Sequence, residues 1–331
     1  MFRMGGQARY FFEIKSNKDL EEALVYINEH KLPVFVLGGG SNILISQDNV
    51  FEAAVLKMEI GGFQILSDDQ NKVVIKIGAG ENWDSVVERT VENNFLGLEA
   101  LSAIPGTVGG TPIQNVGAYG AEISDVLISL DAYEIATGKM QILTNEQCEF
   151  KYRDSIFKNQ AKNKYVVTSI TIELKKLSES QQPQIPNYPG VKKYFDEHGI
   201  TNPTQLQIRE AIIDIRSKKL PDPKDIPSVG SFFKNPIVSS ERYEQLQARY
   251  PDIKAFPKDS GDYKISAGWL LEAAGYKGQT FGNLNFYENN ALVITNTGDA
   301  TFNELNELVE KTKAHIKQAF GIDLEVEPIV V

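Results

Sequence analysis

The stretch Ser102-Ala103-Ile104-Pro105-Gly106-Thr107-Val108-Gly109-Gly110-Thr111-Pro112-Ile113-Gln114-Asn115-Val116-Gly117-Ala118-Tyr119-Gly120 constrains the fold of this chain more than any other segment. Glycines at 106, 109, 110, 117 and 120 supply a backbone freedom that neither helix nor strand requires. The segment is too apolar and too poor in charge to be a disordered linker. It is therefore expected to be an ordered loop wrapped around a ligand, with Thr107, Gln114, Asn115 and exposed amides offering neutral hydrogen bonds. A purely structural Ω-loop is the alternative.

A shorter loop, Gly38-Gly39-Gly40-Ser41-Asn42, joins the apolar run Val34–Leu37 to Ile43-Leu44-Ile45. Its amides are suited to cradle a diphosphate, although a tight turn between strands explains the glycines equally well. The glycines do not open into a helix with Rossmann spacing, and no Gly-Lys-Ser/Thr follows them. A nucleotide site here would be of another type.

Around these loops the pattern is mixed α and β. Ser16 and Asp19 are spaced like a capping box for a helix to His30, with Leu20, Ala23, Leu24 and Ile27 on one face and Pro33 beyond it. Lys72–Ile77 alternates like a strand, and Trp83, Val86, Val87, Thr90 and Val91 form one helical stripe. Leu130–Ile135 and Met140–Leu143, around Thr137-Gly138-Lys139, predict a hairpin, and Tyr165–Leu174 a long strand. Ser178–Pro189 is polar and proline-rich. A helix is expected from Pro203 to Lys219 with Asn202 as its cap, stopped by Leu220-Pro221-Asp222-Pro223, where a domain boundary is placed. Thr301 and Glu304 start another helix through Ile316, and Leu324–Val331 reads as strand.

At 331 residues the chain exceeds the usual size of a single core, so two or three units are expected. A net charge of −10 without any dense basic run argues against nucleic acid as a partner. An anionic ligand would have to be held by a few local cations and amides. Cys148 is the only cysteine, which excludes an internal disulfide and a cysteine-rich metal site; no metal is expected. His30, His198 and His315 are far apart and read as solvated. The opening MFRMGGQARYFFEI lacks a signal-peptide pattern, and no stretch approaches the roughly 20 apolar residues of a spanning helix. A cytoplasmic protein without membrane contact is expected.

The run Ile104-Pro105-Gly106-Thr107-Val108-Gly109-Gly110 with Gln114-Asn115-Val116-Gly117-Ala118-Tyr119-Gly120 closely resembles the UDP-N-acetylenolpyruvoylglucosamine reductases. So do Gly39-Gly40-Ser41-Asn42, Tyr152-Arg153-Asp154-Ser155, Gly230-Ser231-Phe232-Phe233-Lys234-Asn235-Pro236 and Ala267-Gly268-Trp269-Leu270, in the same order over nearly the whole chain. The resemblance implies an α+β chain: a two-part FAD-binding fold of the vanillyl-alcohol-oxidase type plus a C-terminal α+β substrate-binding domain. Residues 1–56 with 320–331 would form the first FAD-binding part, 57–219 the second and 220–319 the substrate domain.

It further implies NADPH-dependent reduction of the enolpyruvyl group of a UDP-sugar through non-covalent FAD, by a chain acting as a monomer. FAD would be held by Gly38, Gly39, Gly40, Ser41 and Asn42, and by Ile104, Pro105, Gly106, Thr107, Gly109, Gly110, Gln114, Asn115, Gly117, Ala118, Tyr119 and Gly120. Arg153 would contact the enolpyruvyl carboxylate, although by itself it could anchor Asp154. Ser231, otherwise read as a turn serine, would donate the proton. Glu325 would stabilise the developing acid-enolate; spacing alone allows Glu327 equally. Tyr188, Lys219, Asn235 and Lys277 would hold the substrate or its phosphates. A flavin oxidase of the same fold and a silent nucleotide-sugar binder are the competing readings.

Overall fold

The computed structural model describes residues 2–46, 50–177 and 183–331. The chain divides into two compact units: a larger one, Ala8–Gly40 with Phe51–Arg216, and a smaller one, Met1–Gln7 with Ser41–Val50 and Ser217–Val331. Residues 320–331 thus cluster with the C-terminal segment, and residues 8–40 with 51–56 in the other unit.

The larger unit is built on two main sheets. In the first, Phe51–Met58 lies between Ala8–Ile14 and Val34–Leu37, all parallel. Parallel strands in one sheet need a crossover, and helix α1 (Asn17–His30) provides the one that joins the two outer strands. Its expected face of Leu20, Ala23, Leu24 and Ile27 packs on Ile14, Ala54, Leu56 and Met58. Ser16 Oγ accepts the Asp19 N–H at 3.2 Å, and the Asp19 carboxylate reaches back to the Lys15 N–H at 3.0 Å. The box closes one residue earlier than its spacing suggests.

The second sheet is antiparallel, in the order Lys139–Thr144, Leu127–Glu134, Tyr165–Lys176, Lys72–Gly78, Phe63–Asp68. Helix α2 (Trp83–Glu92), capped by Asn82, buries the stripe Trp83, Val86, Val87, Thr90 and Val91. Cys148 lies in the same core, and burial pushes its thiol up to about 12. Helices α3 (Pro189–Glu197) and α4 (Gln205–Lys219) share a separate core of Val191, Phe195, Ile208, Ala211, Ile212 and Ile215.

Two expectations change here. α3 is not foreseen from sequence, and α4 starts at Gln205, not Pro203. The cap is Thr204: its Oγ1 accepts the Gln207 N–H at 3.2 Å while Gln207 Oε1 accepts the Thr204 N–H at 2.8 Å. This reciprocal box fixes the start more firmly than Asn202-Pro203 can. Of the polar stretch 178–189, residues 178–182 lie outside the described residues.

The smaller unit has helices α5 (Ser240–Arg249), α6 (Ala267–Ala273) and α7 (Phe302–Phe320). One antiparallel sheet runs Ser228–Ser231, Val293–Asn296, Leu284–Phe286, Thr280–Phe281; another runs Ile237–Val238, Tyr263–Ile265, Ala255–Pro257. Phe232, Phe233, Phe286, Leu270 and Ile316 are fully buried between them. The Thr301/Glu304 box opens α7 as expected. The expected strand 324–331 is interrupted: Val326 bridges Phe233, Pro328 cannot donate, and only Ile329–Val330 pairs with Ile43–Leu44. Among the described residues no helix is long and apolar enough to cross a membrane.

Candidate active site

In the larger unit the chain leaves Val34–Leu37 into Gly38-Gly39-Gly40, of which Gly38 and Gly39 lie against Gly106 and Thr107 of the long loop. A Cβ on Gly39 would sit 2.7 Å from Gly106 Cα, and one on Gly38 would sit 2.6 Å from Thr107 Oγ1. The two loops therefore meet backbone to backbone, a contact only glycine permits. Lys57 Nζ donates to the Gly38 carbonyl at 2.7 Å. Thr107 Oγ1 is buried without a hydrogen-bond partner. Farther along, a Cβ on Gly109 would press on Ala79 Cβ at 2.6 Å, whereas one on Gly110 would meet nothing within 4 Å. Gly109 thus packs against the protein, and Gly110 faces open space.

The rest of the long loop is pinned at a few points. Asn115, buried and in the left-handed region (φ 48), donates to Glu122 Oε2 at 2.6 Å and to the Lys151 carbonyl at 3.2 Å, and accepts the Ser124 N–H at 3.2 Å. Its side chain is engaged within the protein. Gly117-Ala118 pairs with Ala121-Glu122 across Tyr119-Gly120, both at positive φ (52° and 90°), a hairpin turn that presents the Tyr119 ring. That ring meets Tyr188, the N-cap residue of α3, edge to face at 5.2 Å. Burial raises the pKa of both phenols. Arg153, itself left-handed (φ 53), donates Nη2 to the Gly117 carbonyl at 2.7 Å.

Sequence reasoning missed the residues that hold the start of this loop. Ala103 is left-handed (φ 57); its N–H donates to Asp84 Oδ1 at 2.6 Å and its carbonyl accepts Arg216 Nε at 3.2 Å. Asp84 is also paired bidentately with Arg209, at 2.6 and 3.0 Å. Burial opposes ionisation of Asp84, but the Arg209 and Ala103 hydrogen bonds outweigh it and hold the carboxyl below the usual aspartate range. Arg216, whose pKa burial lowers, shares a hydrogen bond with Tyr119. The available signal was helical spacing: Arg209 and Arg216, seven apart, fall on the same face as Ile208, Ile212 and Ile215.

In the smaller unit Ser231 ends its strand opposite Val293 after Gly230 (φ 74). The next residues pair with the C-terminal segment: the Glu327 N–H donates to the Phe232 carbonyl and the Lys234 N–H to the Glu325 carbonyl, both at 2.9 Å. Glu325 has a side chain 70% exposed and ion-paired to Lys234. Glu327 is half-buried and pairs beside the residue that follows Ser231. Asn235 Oδ1 accepts the Ala267 N–H at 2.9 Å at the start of α6. Lys219, last in α4, has its pKa lowered by burial of the ammonium and then by the charge of Lys254. Lys277 is paired with Glu272 at 3.1 Å. Asn42, also in this unit, accepts the Ile329 N–H at 3.0 Å.

Residues 8–144 match the family model described as FAD binding domain, and 222–331 match that of the UDP-N-acetylenolpyruvoylglucosamine reductase C-terminal domain. A Pseudomonas fluorescens protein named UDP-N-acetylenolpyruvoylglucosamine reductase is 41% identical over 327 residues, covering 99% of this chain and 94% of that one. One of the same name from Flavobacterium johnsoniae is 38% identical over 330 residues, covering 100% and 96%. The crystal structure of the reductase from Thermus caldophilus superposes with a TM-score of 0.65 at 22% identity, covering 97% of this chain and 91% of that one. The α+β class and the two-part FAD-binding fold with its C-terminal domain hold. FAD fits the residues present: the apposed glycine backbones, the orphaned Thr107 hydroxyl and the open face of Gly110 suit a flat ring system carrying a diphosphate. With sequence relatives over its full length and matching models for both halves, this chain belongs to the UDP-N-acetylenolpyruvoylglucosamine reductase family.

Proposed function

We propose that the chain reduces the enolpyruvyl ether of a UDP-N-acetylglucosamine to the lactyl ether of UDP-N-acetylmuramate, with NADPH as reductant, acting as a cytoplasmic monomer in peptidoglycan precursor synthesis. The observation that carries the reading is the meeting of Gly38 and Gly39 with Gly106-Thr107 over an unpartnered hydroxyl. Bound there without a covalent link, FAD supplies a two-electron carrier between the nicotinamide and the enol ether. Gly38, Gly39, Gly106, Thr107 and Gly110 are the residues that would hold it.

Hydride addition to the methylene carbon of the enol ether builds negative charge on the carbon α to the carboxylate. Arg153 offers that carboxylate a planar, permanently charged fork. Ser231 Oγ then gives its proton to the α carbon. A hydroxyl is a weak acid, but the acid-enolate is a strong base, so the transfer runs downhill. A carboxylate opposing Ser231 stabilises the acid-enolate as a preorganised group. Glu327 suits this role better than Glu325, because it is half-buried and pairs beside Phe232, whereas Glu325 is mostly solvated and neutralised by Lys234. Tyr188, with Lys219, Asn235 and Lys277, would hold the sugar nucleotide.

The test is an anaerobic titration of the purified protein. Acid should release FAD into solution, NADPH should bleach the yellow colour, and the enolpyruvyl UDP-sugar should restore it with one equivalent of UDP-N-acetylmuramate. Recovery of FMN, or recolouring by oxygen with a sugar alcohol as donor and no response to NADPH, would replace this reading by that of a flavin oxidase.

A further inference from the structure

Lys57 lies in the middle strand of the parallel sheet, in register with Leu37, the residue before the first glycine loop. Its ammonium donates to the Gly38 carbonyl at 2.7 Å. Among the described residues it has no carboxylate at ion-pair distance, although the chain as a whole is strongly acidic. A lysine partly buried at the root of a glycine loop, and engaged with a backbone oxygen, is costly unless it serves something.

Geometry supplies the purpose. In a planar trans peptide the carbonyl and the following N–H point in opposite directions. Holding the Gly38 carbonyl toward Lys57 therefore turns the Gly39 N–H away from the sheet, toward the exposed side of the loop. Gly39 is exposed, and no group among the described residues accepts its N–H. A three-glycine segment would otherwise flip this peptide freely. The same ammonium places a positive charge directly behind the loop, where it attracts an anion in front.

We infer that Lys57 is a positioning residue for the FAD diphosphate: it aims the Gly39 N–H at the phosphate oxygens and adds the charge that holds them. The inference rests on the reading that residues 38–42 meet this diphosphate.

The experiment uses the holoenzyme and follows FAD release by flavin fluorescence after dilution, over a range of salt concentrations. Lys57→Met should release FAD roughly 10-fold faster or more, as expected for loss of a charge-assisted bond, and its release rate should depend less on salt than that of wild type. Lys57→Arg, which keeps both charge and donor, should restore slow, salt-dependent release; a merely structural lysine would not link the two readouts. Should Lys57→Met fail to fold, Lys57→Gln serves, and it should keep part of the affinity through its amide but lose the salt dependence. Release at the wild-type rate with unchanged salt dependence overturns the inference. Hydrogen exchange of residues 38–42 with and without FAD separates this failure from that of the underlying reading. Protection of the loop by FAD with normal release from Lys57→Met removes Lys57 alone, whereas no protection removes the loop's role itself.

Discussion

The Asp84–Arg209 pair makes an asymmetric prediction, because the two partners differ in their access to water. The Arg209 side chain is 6% exposed and that of Asp84 34%. Asp84→Ala strands a guanidinium in the interior with Glu88, at 3.5 Å, as its remaining ion-pair partner among the described residues, and also deprives the Ala103 N–H of its acceptor. Breaking a buried pair by removing one member costs about 3–5 kcal/mol, and the partial exposure of this pair places Asp84→Ala near about 3 kcal/mol. Arg209→Met keeps most of the apolar stem, and it leaves a carboxylate that water reaches and that still accepts from Ala103; about 1 kcal/mol follows. The assay is urea unfolding in a Trp269→Phe background, so that Trp83, next to Asp84 in the larger unit, is the fluorescent reporter. With a slope of about 2–3 kcal/mol/M, Asp84→Ala should lower the midpoint by roughly 1 M and Arg209→Met by less than half of that. The double variant should cost less than the sum of the two, since no charge is then stranded. Because the folded Asp84 carboxyl titrates below its unfolded value, the advantage of wild type over Asp84→Asn is complete above the unfolded aspartate range. It fades as pH falls through the folded value. Equal shifts for the two single variants, or strict additivity, would refute the asymmetry and with it the idea that Arg209 is the desolvated partner.

Three further outcomes are expected. Ser231→Ala should leave bleaching by NADPH near wild type while slowing recolouring by the enolpyruvyl sugar by at least about 10²-fold, the lower bound for a general acid; stopped-flow absorbance separates the two. Gly110→Val should fold normally yet purify without flavin, because its side chain enters open space next to the loop, whereas Gly109→Ala, pressed against Ala79, should lower the melting temperature even of flavin-free protein. Glu327→Gln should impair recolouring far more than Glu325→Gln, with NADPH bleaching intact in both; the reverse order would return the acidic role to Glu325.

What could be read from sequence follows the range of the interactions involved. The α2 stripe and the Thr301/Glu304 box are local patterns, so both elements form where periodicity and capping place them. α3 escaped because its buried face consists of only Val191 and Phe195, and its stability comes from α4. The glycine loops stood out in the sequence by composition, but not the clamp on Ala103, whose members Asp84 and Arg209 are 125 residues apart. Asn115 looked like a ligand-facing amide and is instead spent on Glu122, Lys151 and Ser124. Spacing could not choose between Glu325 and Glu327, because their surroundings differ only in the folded chain: Glu327 pairs with Phe232 and Glu325 with Lys234.

The parallel pairing of Ile43–Leu44 with Ile329–Val330 sets a schedule for synthesis. Ser46 is bonded through both its N–H and its hydroxyl to the Val331 carbonyl, 285 residues later. At about 5–20 residues per second, a ribosome needs roughly 15–60 s between these two points. During that interval the larger unit, complete at Arg216, can already be folded, while the emerged strand at Ile43 has an open edge and no native partner. Nascent chains of this protein should therefore pass through a stage at which residues 41–46 are a target for chaperones or for pairing with a neighbouring polypeptide. Arrest at about residue 260 should expose this segment to proteolysis, and release of the full chain should close it.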